Sequence, residues 1–176
     1  MNPIAKALAV AAKYTSRHPT EAQRAAGNYK KGRVKIAPGL EVSIENPKGS
    51  KRSGVDKNGK AWESVAPAHY GYLLGALGAD RENLDCYIGS DHSSKTVYVV
   101  DQIDAETGKW DEHKCLLSYP NRDAAVADYC KAFSDGKGKE RIGSVTEMPL
   151  AAFSAWAKNG DTKKPLGDLR KAFASG

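Results

Sequence analysis

The N-terminal segment of the chain has hydrophobic residues at helical spacing. Apolar positions recur every three to four residues between residues 3 and 14, which predicts an amphipathic helix. Thr20 stands before an Ala-rich segment that Gly27 ends, and these residue types favour the N-terminus and the C-terminus of a short helix. We therefore expect two helices before the domain core begins.

The spacing changes at Arg33, where apolar and polar residues begin to alternate. Residues 34–36 and 40–44 follow this alternation, which is typical of half-buried strands. Residues 46–60 are rich in glycine, proline and basic residues, and 56–59 has the sequence of a turn. The pattern predicts a core that starts near Arg33, followed by an exposed loop over 46–60.

The second half of the chain predicts more strands, with helices after them. Strands are predicted at 87–88, 96–100, 112–117 and 142–145, a hairpin turn at 105–108, and helices at 121–133 and 149–158. Phe153 and Trp156 lie on one face of the last helix and are expected to pack in the core. This mixture indicates an α+β domain, and the strand pattern alone would also allow a sandwich.

Composition limits the class of protein. The chain has 176 residues, of which 40% are hydrophobic and 27% charged, as in a single globular domain. No apolar run is long enough to span a membrane, and lysines interrupt the first helix before it could act as a secretion signal. The three cysteines have no metal-type spacing, so free thiols and a cytoplasmic location are expected.

The net charge of +6 raises the question of polyanionic partners. Basic residues cluster mainly at 30–33, 48–52, 137–141 and near the C-terminus. They come without an aromatic-interleaved RNA-binding signature and without zinc-finger spacing, so specific nucleic-acid binding is not expected. Small phosphate anions are the favoured partners.

The segment before the strand at 87–88 carries three closely spaced carboxylates. Asp80, Glu82 and Asp85 stand at i, i+2 and i+5. Like charges at short distance repel, and a divalent cation relieves that repulsion. Mg²⁺ prefers oxygen ligands and is commonly shared between carboxylates and a phosphate substrate. The triad alone allows a metal-dependent phosphate enzyme or a solvated acidic turn.

An ordered set of motifs is more specific than the triad. The set comprises Ile44-Glu45, the basic residues Lys48, Lys51 and Arg52, the block Pro67 to Tyr72, the triad, Asp101 and Asp104, and Asp111-Glu112-His113-Lys114. In this order the motifs resemble those of the soluble inorganic pyrophosphatases. Asn-Tyr-Lys-Lys-Gly, Ile-Glu-Asn-Pro-Lys-Gly and Asp-Glu-His-Lys segments resemble most closely the divergent pyrophosphatase-like domain of phage and mobile-element proteins. The resemblance covers about residues 20–165.

The resemblance implies a set of metal ligands and a water-activating base. Two or more Mg²⁺ ions would be held by Asp80, Asp85, Asp104, Glu112 and Glu45. Asp85 would bridge two ions, Glu82 would face the attacking water, and Glu45 would support metal-bound water. Asp101 stands close to Asp104 in the sequence and is an alternative to it.

The resemblance also implies phosphate-binding residues. Tyr70 and Lys114 would contact phosphate, and Arg52 or Lys51 would replace an arginine that the family has before its Tyr-Gly block. The family's Tyr-Lys pair that binds the product phosphate falls on Phe133-Ser134 in this chain. Arg141 or Lys137 could supply the missing charge.

The fold implied by the resemblance is a small closed antiparallel β-barrel, OB-like and of pyrophosphatase type, with flanking helices. Its division would be a helical extension at 1–30, a pyrophosphatase-like domain at 31–165 and a C-terminal tail at 166–176. Barrel closure would remove the exposed edges of many short strands.

Two functions follow from the resemblance. The first is Mg²⁺-dependent hydrolysis of pyrophosphate or a related small phosphoanhydride such as a nucleotide. The second is a noncatalytic phage-type structural, packaged or interaction protein that keeps the fold. A homo-oligomer and a phage protein partner are further expectations, with a location in the host cytoplasm or the virion. Neither function involves a membrane.

Other reactive residues are expected to be structural. His69 is interpreted as a hydrogen-bonded structural histidine, and His113 should point away from its neighbours Glu112 and Lys114 on a strand. Cys86 and Cys115 lie in apolar strands and should be buried. The chain lacks a Ser-His-Asp order, a Walker loop and a dinucleotide glycine fingerprint, which excludes those enzyme classes.

Overall fold

The structure is a computed structural model that describes residues 2–78 and 82–169. The helices are α1 (Pro3–Tyr14), α2 (Glu21–Ala26), α3 (Arg122–Lys131) and α4 (Leu150–Asn159), with a 3₁₀ turn at Lys139–Arg141. The strands are β1 (Arg33–Ala37), β2 (Leu40–Asn46), β3 (Lys51–Val55), β4 (Ala61–Val65), β5 (His69–Leu77), β6 (Asn83–Ile88), β7 (Thr96–Ile103), β8 (Trp110–Leu117) and β9 (Ile142–Pro149).

The predicted helices are all present, and the residues that begin them explain their bounds. Asn2 accepts the N–H of Ile4 at the start of α1, and Asn121 accepts the N–H of Ala124 at the start of α3. Thr20 begins α2 with reciprocal bonds to Gln23, a capping box. None of the helices within the described ranges is long and apolar enough to cross a membrane.

Seven strands form one sheet in the order β1-β2-β5-β6-β8-β7-β9, and β3 pairs with β4 in a separate hairpin. Every pair in the large sheet is antiparallel except β6 with β8, which run parallel. The α+β prediction is confirmed, but the closed barrel is wrong because the sheet stays open between β1 and β9. Closure depends on strand tilt and stagger, which local alternation does not encode.

Strand β3 lies within residues 46–60, where the sequence predicted a loop, and its partner β4 follows directly after that segment. The turn at 56–59 was correct: Oδ1 of Asp56 accepts the N–H groups of Asn58 and Lys60, both at 2.9 Å. The strands were missed because most of their residues are exposed, so no buried face shows in the sequence pattern.

The core lies on the two sides of the sheet. One cluster holds aliphatic residues of the strands together with Leu8 and Ala11 of α1 and Phe153 of α4. Full burial of a side chain such as Phe153 contributes about 1.5–3 kcal/mol. The second cluster is rich in tyrosine and includes Tyr70 of β5 and Tyr129 of α3. This tyrosine-rich side carries the candidate site.

Candidate functional site

The ammonium group of Lys114 lies between two carboxylates. Its Nζ is 2.6 Å from Oδ2 of Asp85 and 2.6 Å from Oε1 of Glu112. Asp85 faces Lys114 in register because β6 and β8 are parallel neighbours. Glu112 stands two residues before Lys114 on β8, so both side chains leave the same face of the sheet. The parallel pair thus brings together three residues that the sequence analysis assigned to the site.

Tyr70 completes this cluster. Nζ of Lys114 donates a hydrogen bond to the Tyr70 hydroxyl at 2.9 Å. The next residue, Gly71, packs so closely on β2 that a Cβ there would lie 1.9 Å from the carbonyl oxygen of Ser43. Glycine at this position therefore allows β5 to lie against β2 with Tyr70 facing the site. The ring of Tyr70 meets the ring of Tyr87 edge-on at 4.8 Å.

The charges in the cluster influence one another strongly. Burial opposes the charge on Lys114, but the ionised form of Tyr70, present only at high pH, and the carboxylates of Asp85 and Glu112 outweigh it and hold the pKa of Lys114 well above its ordinary value. Burial raises the pKa of Tyr70 well above that of a free phenol, with Lys114 acting in the opposite direction. Lys114 is therefore a fixed cation, and Tyr70 keeps its proton at neutral pH.

Glu45 belongs to the same electrostatic group. Burial raises its pKa, and the negative charge of Asp85 raises it further, while Arg52, Lys31 and Lys114 lower it. Burial also raises the pKa of Glu112, with Asp85 adding to the shift and Lys114 opposing it. These are carboxylates whose negative charge is costly, as expected where they crowd together away from water.

Arg52 reaches the cluster from the β3–β4 hairpin. Its guanidinium carbon lies 4.8 Å from the centre of the Tyr70 ring, a cation–π contact. Lys51, its neighbour in sequence, is exposed and lies 3.6 Å from Glu63 across the hairpin. Of the two basic residues proposed from the sequence, Arg52 is the one that the structure brings to Tyr70.

A cavity of about 590 Å³ opens above the cluster. It lies between the β3–β4 hairpin, the Tyr70 side of the sheet and the segment after α3. Four cationic side chains line it, from the β3–β4 hairpin, β8 and the 3₁₀ turn: Arg52, Lys60, Lys114 and Arg141. The acidic residues Asp56, Glu63 and Asp135 also line it, and Asp135 is paired with Arg141. Such a cavity suits an anionic ligand.

Arg141 is positioned from two sides. Its guanidinium lies 4.3 Å from the ring centre of Phe133 and donates to both carboxylate oxygens of Asp135 at 3.0 and 2.8 Å. Phe133 and Ser134 line the same cavity. The positions that carry Tyr-Lys in the resembling family therefore stand beside Arg141 in this chain.

The two alternative aspartates lie apart from Lys114. Asp104 is exposed at the end of β7, where its Oδ1 accepts the N–H groups of Glu106 and Thr107, both at 2.8 Å. These bonds lower the pKa of Asp104. The negative charge of Asp104 also contributes to the raised pKa of Arg141. The geometry assigns Asp104 a role in the turn, and its role as a metal ligand stays a prediction.

Asp101 is fully buried and holds the C-terminal segment. Its carboxylate accepts the N–H groups of Leu166 and Gly167 and the hydroxyl of Ser144, and it lies 3.0 Å from Nε2 of His113. Burial raises the pKa of Asp101, but these hydrogen bonds outweigh it and lower the pKa overall. With its oxygens committed to this network, Asp101 is a poor alternative to Asp104 as a metal ligand.

The other two members of the predicted triad are Asp80 and Glu82. Asp80 lies outside the described residues. Glu82 is exposed just before β6, and its role as the base stays a prediction. Across the parts of the chain that are described, no three His, Cys, Asp or Glu side chains converge closely enough to hold a metal ion.

The remaining reactive residues have structural roles, as expected. Nδ1 of His69 accepts the backbone N–H of Lys48 at 2.9 Å. His113 is buried on the side of the sheet away from Lys114, between the rings of Trp110 and Trp156 at 4.7 and 4.9 Å. The side chains of Cys86 and Cys115 are fully buried free thiols.

Trp62 and Gln102, which were not predicted from the sequence, also line the cavity. Gln102 accepts a hydrogen bond from the Tyr129 hydroxyl at 2.6 Å and donates one to Asp111 at 2.9 Å. Neither residue belongs to the motif set. The predicted turn at 56–59 could have indicated a strand that contains Trp62, because an apolar residue just after a hairpin turn can start a returning strand.

The chain is similar in structure to solved proteins of low sequence identity. A search of curated protein sequences gave no match. An inorganic phosphatase from Anaplasma phagocytophilum is 15% identical, with 69% of this chain and 91% of that chain covered and a TM-score of 0.41. An inorganic pyrophosphatase from Neisseria gonorrhoeae is 14% identical, with 72% and 91% covered and a TM-score of 0.39.

The family comparison matches a larger continuous part of the chain. The family model described as Inorganic Pyrophosphatase matches residues 21–158, which include the whole cluster around Lys114. The closeness to phage proteins stays a prediction. The chain belongs to the inorganic pyrophosphatase family.

Proposed function

We propose that this protein hydrolyses inorganic pyrophosphate, or a related small phosphoanhydride, with the help of Mg²⁺. The observation that carries the proposal is the Lys114 ammonium held between Asp85, Glu112 and the Tyr70 hydroxyl at the floor of a cation-lined cavity. Phosphoryl transfer needs mainly positioning and neutralisation of phosphoryl oxygens, which is what such a cavity offers.

The donor chemistry of the cluster fits Mg²⁺. Asp85, Glu112 and Glu45 offer hard carboxylate oxygens, and burial together with the negative charge of Asp85 raises the pKa of both glutamates. Each carboxylate has about four lone-pair sites, so Asp85 and Glu112 can bind a cation while each keeps its contact to Lys114. Asp80 and Asp104 are proposed as further ligands. When bound, Mg²⁺ would lower the pKa of a water molecule and neutralise phosphoryl oxygens.

The residues of the chain itself bind the substrate. Arg52 and Arg141 line the cavity from different elements, and a guanidinium matches two phosphoryl oxygens at once. Lys114 supplies a permanent positive charge at the floor. Tyr70, which stays protonated, can donate its hydroxyl hydrogen to a phosphoryl oxygen. These four groups would orient the anhydride and stabilise the charge that spreads over its oxygens.

Glu82 is the proposed base that takes a proton from the attacking water. It is exposed just before β6, three residues from Asp85. A carboxylate next to metal ligands is suited to orient water for in-line attack. Glu82→Gln would keep the size of the side chain and remove its basicity, so kcat should fall while the binding of Mg²⁺ is retained.

Phosphate release from pyrophosphate tests the proposed function. The assay compares the folded wild-type protein with Mg²⁺ and with EDTA, and includes nucleoside triphosphates as second substrates. Asp85→Asn is the informative variant, and Glu147→Gln is its matched control because it removes an exposed carboxylate from β9, outside the cavity lining. We expect Mg²⁺-dependent release that Asp85→Asn nearly abolishes and Glu147→Gln leaves unchanged.

Absence of Mg²⁺-dependent release from every one of these substrates would overturn the enzymatic proposal. The noncatalytic alternative, a structural or interaction protein that keeps the fold, would then be the better interpretation. Release that persists in Asp85→Asn would instead overturn the assignment of the cluster and would point to a contaminating enzyme.

A further inference from the structure

Trp62 is a partly exposed aromatic side chain at the edge of the phosphate-binding cavity. It leaves 39% of its surface accessible although tryptophan is usually well covered, and it lines the cavity that Arg52 and Lys114 also line. A single exposed aromatic residue on an open surface needs no explanation. An exposed indole inside an anion-binding cavity is a different case, because it offers an apolar face to the same ligand.

The indole of Trp62 packs on Gly54. Gly54 faces Trp62 across the β3–β4 hairpin, and a Cβ at Gly54 would lie 2.8 Å from Cζ2 and 3.0 Å from Cε2 of the indole. The indole therefore packs closely against the backbone of Gly54, where a larger residue would displace it. Its remaining 39% exposure leaves part of the ring accessible to a ligand.

The hairpin also sets the distance between the indole and the phosphate site. Arg52 pairs with Ser64 and Gly54 pairs with Trp62, so Arg52 and Trp62 project from the same face of the hairpin. They are one pair of residues apart, about 7 Å along the strands. A ligand with phosphates at Arg52 and a flat group on Trp62 therefore needs a short spacer between the two.

The size of the cavity favours a ligand larger than pyrophosphate. A volume of about 590 Å³ is in the range of pockets that hold drug-sized molecules. Pyrophosphate alone would leave the Trp62 side of the cavity to water. Any of the nucleobases can stack on an indole, because every base has a flat aromatic face. A ribose between base and phosphates is a spacer of suitable length.

We propose that the cavity binds a nucleoside di- or triphosphate, with its phosphates at Arg52, Lys114 and Arg141 and its base stacked on the exposed face of Trp62. The inference rests on the proposed function for the phosphate end of the site and adds the class of substrate. Trp62 is then a specificity-determining residue, and Gly54 positions it.

Calorimetric titration with two non-hydrolysable ligands tests the inference. The probes are the β,γ-methylene analogue of adenosine triphosphate, which has a base, and methylenediphosphonate, which has none, both with Mg²⁺. The proteins are the wild type, Trp62→Ala, Trp62→Phe and Gly54→Ala. Gly54→Ala keeps the indole but displaces it from the backbone of residue 54. Arg52 lies on the same hairpin, so unchanged binding of methylenediphosphonate shows that the hairpin is intact.

We expect Trp62→Ala to weaken binding of the nucleotide analogue by roughly 5- to 150-fold, the effect of losing one stacked base. Gly54→Ala should weaken it in the same direction, and Trp62→Phe should retain most of the affinity because it keeps an aromatic face. The affinity for methylenediphosphonate should change less than about twofold in all three variants.

Equal changes for both probes, no change for either probe, or failure of the nucleotide analogue to bind would each overturn the inference. The phosphate-release assay separates this result from the proposed function. A protein that releases no phosphate but prefers the nucleotide analogue in a Trp62-dependent way supports the inference and contradicts the enzymatic proposal. A protein that hydrolyses pyrophosphate but does not prefer the nucleotide analogue supports the enzymatic proposal and contradicts the inference.

Discussion

Asp85 and Lys114 face each other in register on two parallel strands, and Nζ of Lys114 lies 2.6 Å from Oδ2 of Asp85. The side chains are 25% and 10% exposed, so water screens the pair only in part. The ion pair changes the effect that replacing Asp85 is expected to have on the stability of the metal-free protein. Crowded carboxylates alone would predict that removing one of them relieves repulsion, but here Lys114 already compensates Asp85.

Asp85→Asn should destabilise the metal-free protein by about 1–3 kcal/mol, because Lys114 would lose one of its two carboxylate partners. The sequence considered alone predicts the opposite, an unchanged or slightly more stable fold. Urea unfolding in EDTA measures the difference. A variant as stable as the wild type under these conditions would show that the repulsion between the carboxylates outweighs the ion pair.

The same variant tests the metal site. A proposed Mg²⁺ ion that binds only the folded state would stabilise the protein, and this stabilising effect should be greatly reduced in Asp85→Asn. Glu147→Gln is the matched control, because it removes an exposed carboxylate from β9, outside the cavity lining. We expect the melting temperature of Glu147→Gln to respond to Mg²⁺ as that of the wild type does, and more than that of Asp85→Asn. Equal responses of wild type and Asp85→Asn would exclude Asp85 as a ligand.

Arg52→Met should raise the KM for pyrophosphate by roughly ten- to a hundred-fold, the usual effect of losing a hydrogen bond between charged groups. Lys51→Met removes the same charge one residue away, where the side chain pairs with Glu63, and should leave KM nearly unchanged. Steady-state kinetics of the two variants decides between the two residues. A larger effect of Lys51→Met would mean that the hairpin presents its other face to the substrate.

The contact between Asp135 and Arg141 should make stability depend on pH in the acid range. Arg141 holds the pKa of Asp135 at about 2, below its ordinary value of 3.8. Since the folded state has the lower pKa, the stabilisation is complete above the ordinary pKa and is lost as the pH falls towards 2. Asp135 is partly exposed, so the contribution should be below about 1 kcal/mol. Unfolding free energies of wild type and Asp135→Asn from pH 6 to pH 2.5 should converge; a constant difference contradicts the assignment.

Asp101→Asn should cost about 2–4 kcal/mol of stability, because a fully buried carboxylate that accepts hydrogen bonds from Ser144, Leu166 and Gly167 would be replaced by an amide. Tryptophan fluorescence should also change, since His113, the neighbour of Asp101, lies between two indole rings. Glu147→Gln on the adjacent strand is the control. An Asp101→Asn variant no less stable than this control would show that the C-terminal segment is held by other contacts.

Several features were accessible from the sequence because they depend on local physics. Helical spacing of apolar residues and capping side chains such as Thr20 and Asn121 located the helices, and alternation located most strands of the large sheet. The orientation of His113 away from Lys114 followed from the strand period of two. The residues around Lys114 were assigned through the order of motifs, which the family match covers.

The tertiary structure decided what non-local pairing controls. The parallel pairing of β6 with β8 places Asp85 beside Lys114, although the two residues are far apart in the chain. Whether a sheet closes depends on tilt and stagger over many strands, so the sequence could not exclude a barrel. The β3–β4 hairpin has little buried surface and left no hydrophobic pattern. Only its folding brings Arg52 over Tyr70 and places Trp62 on Gly54 at the edge of the cavity.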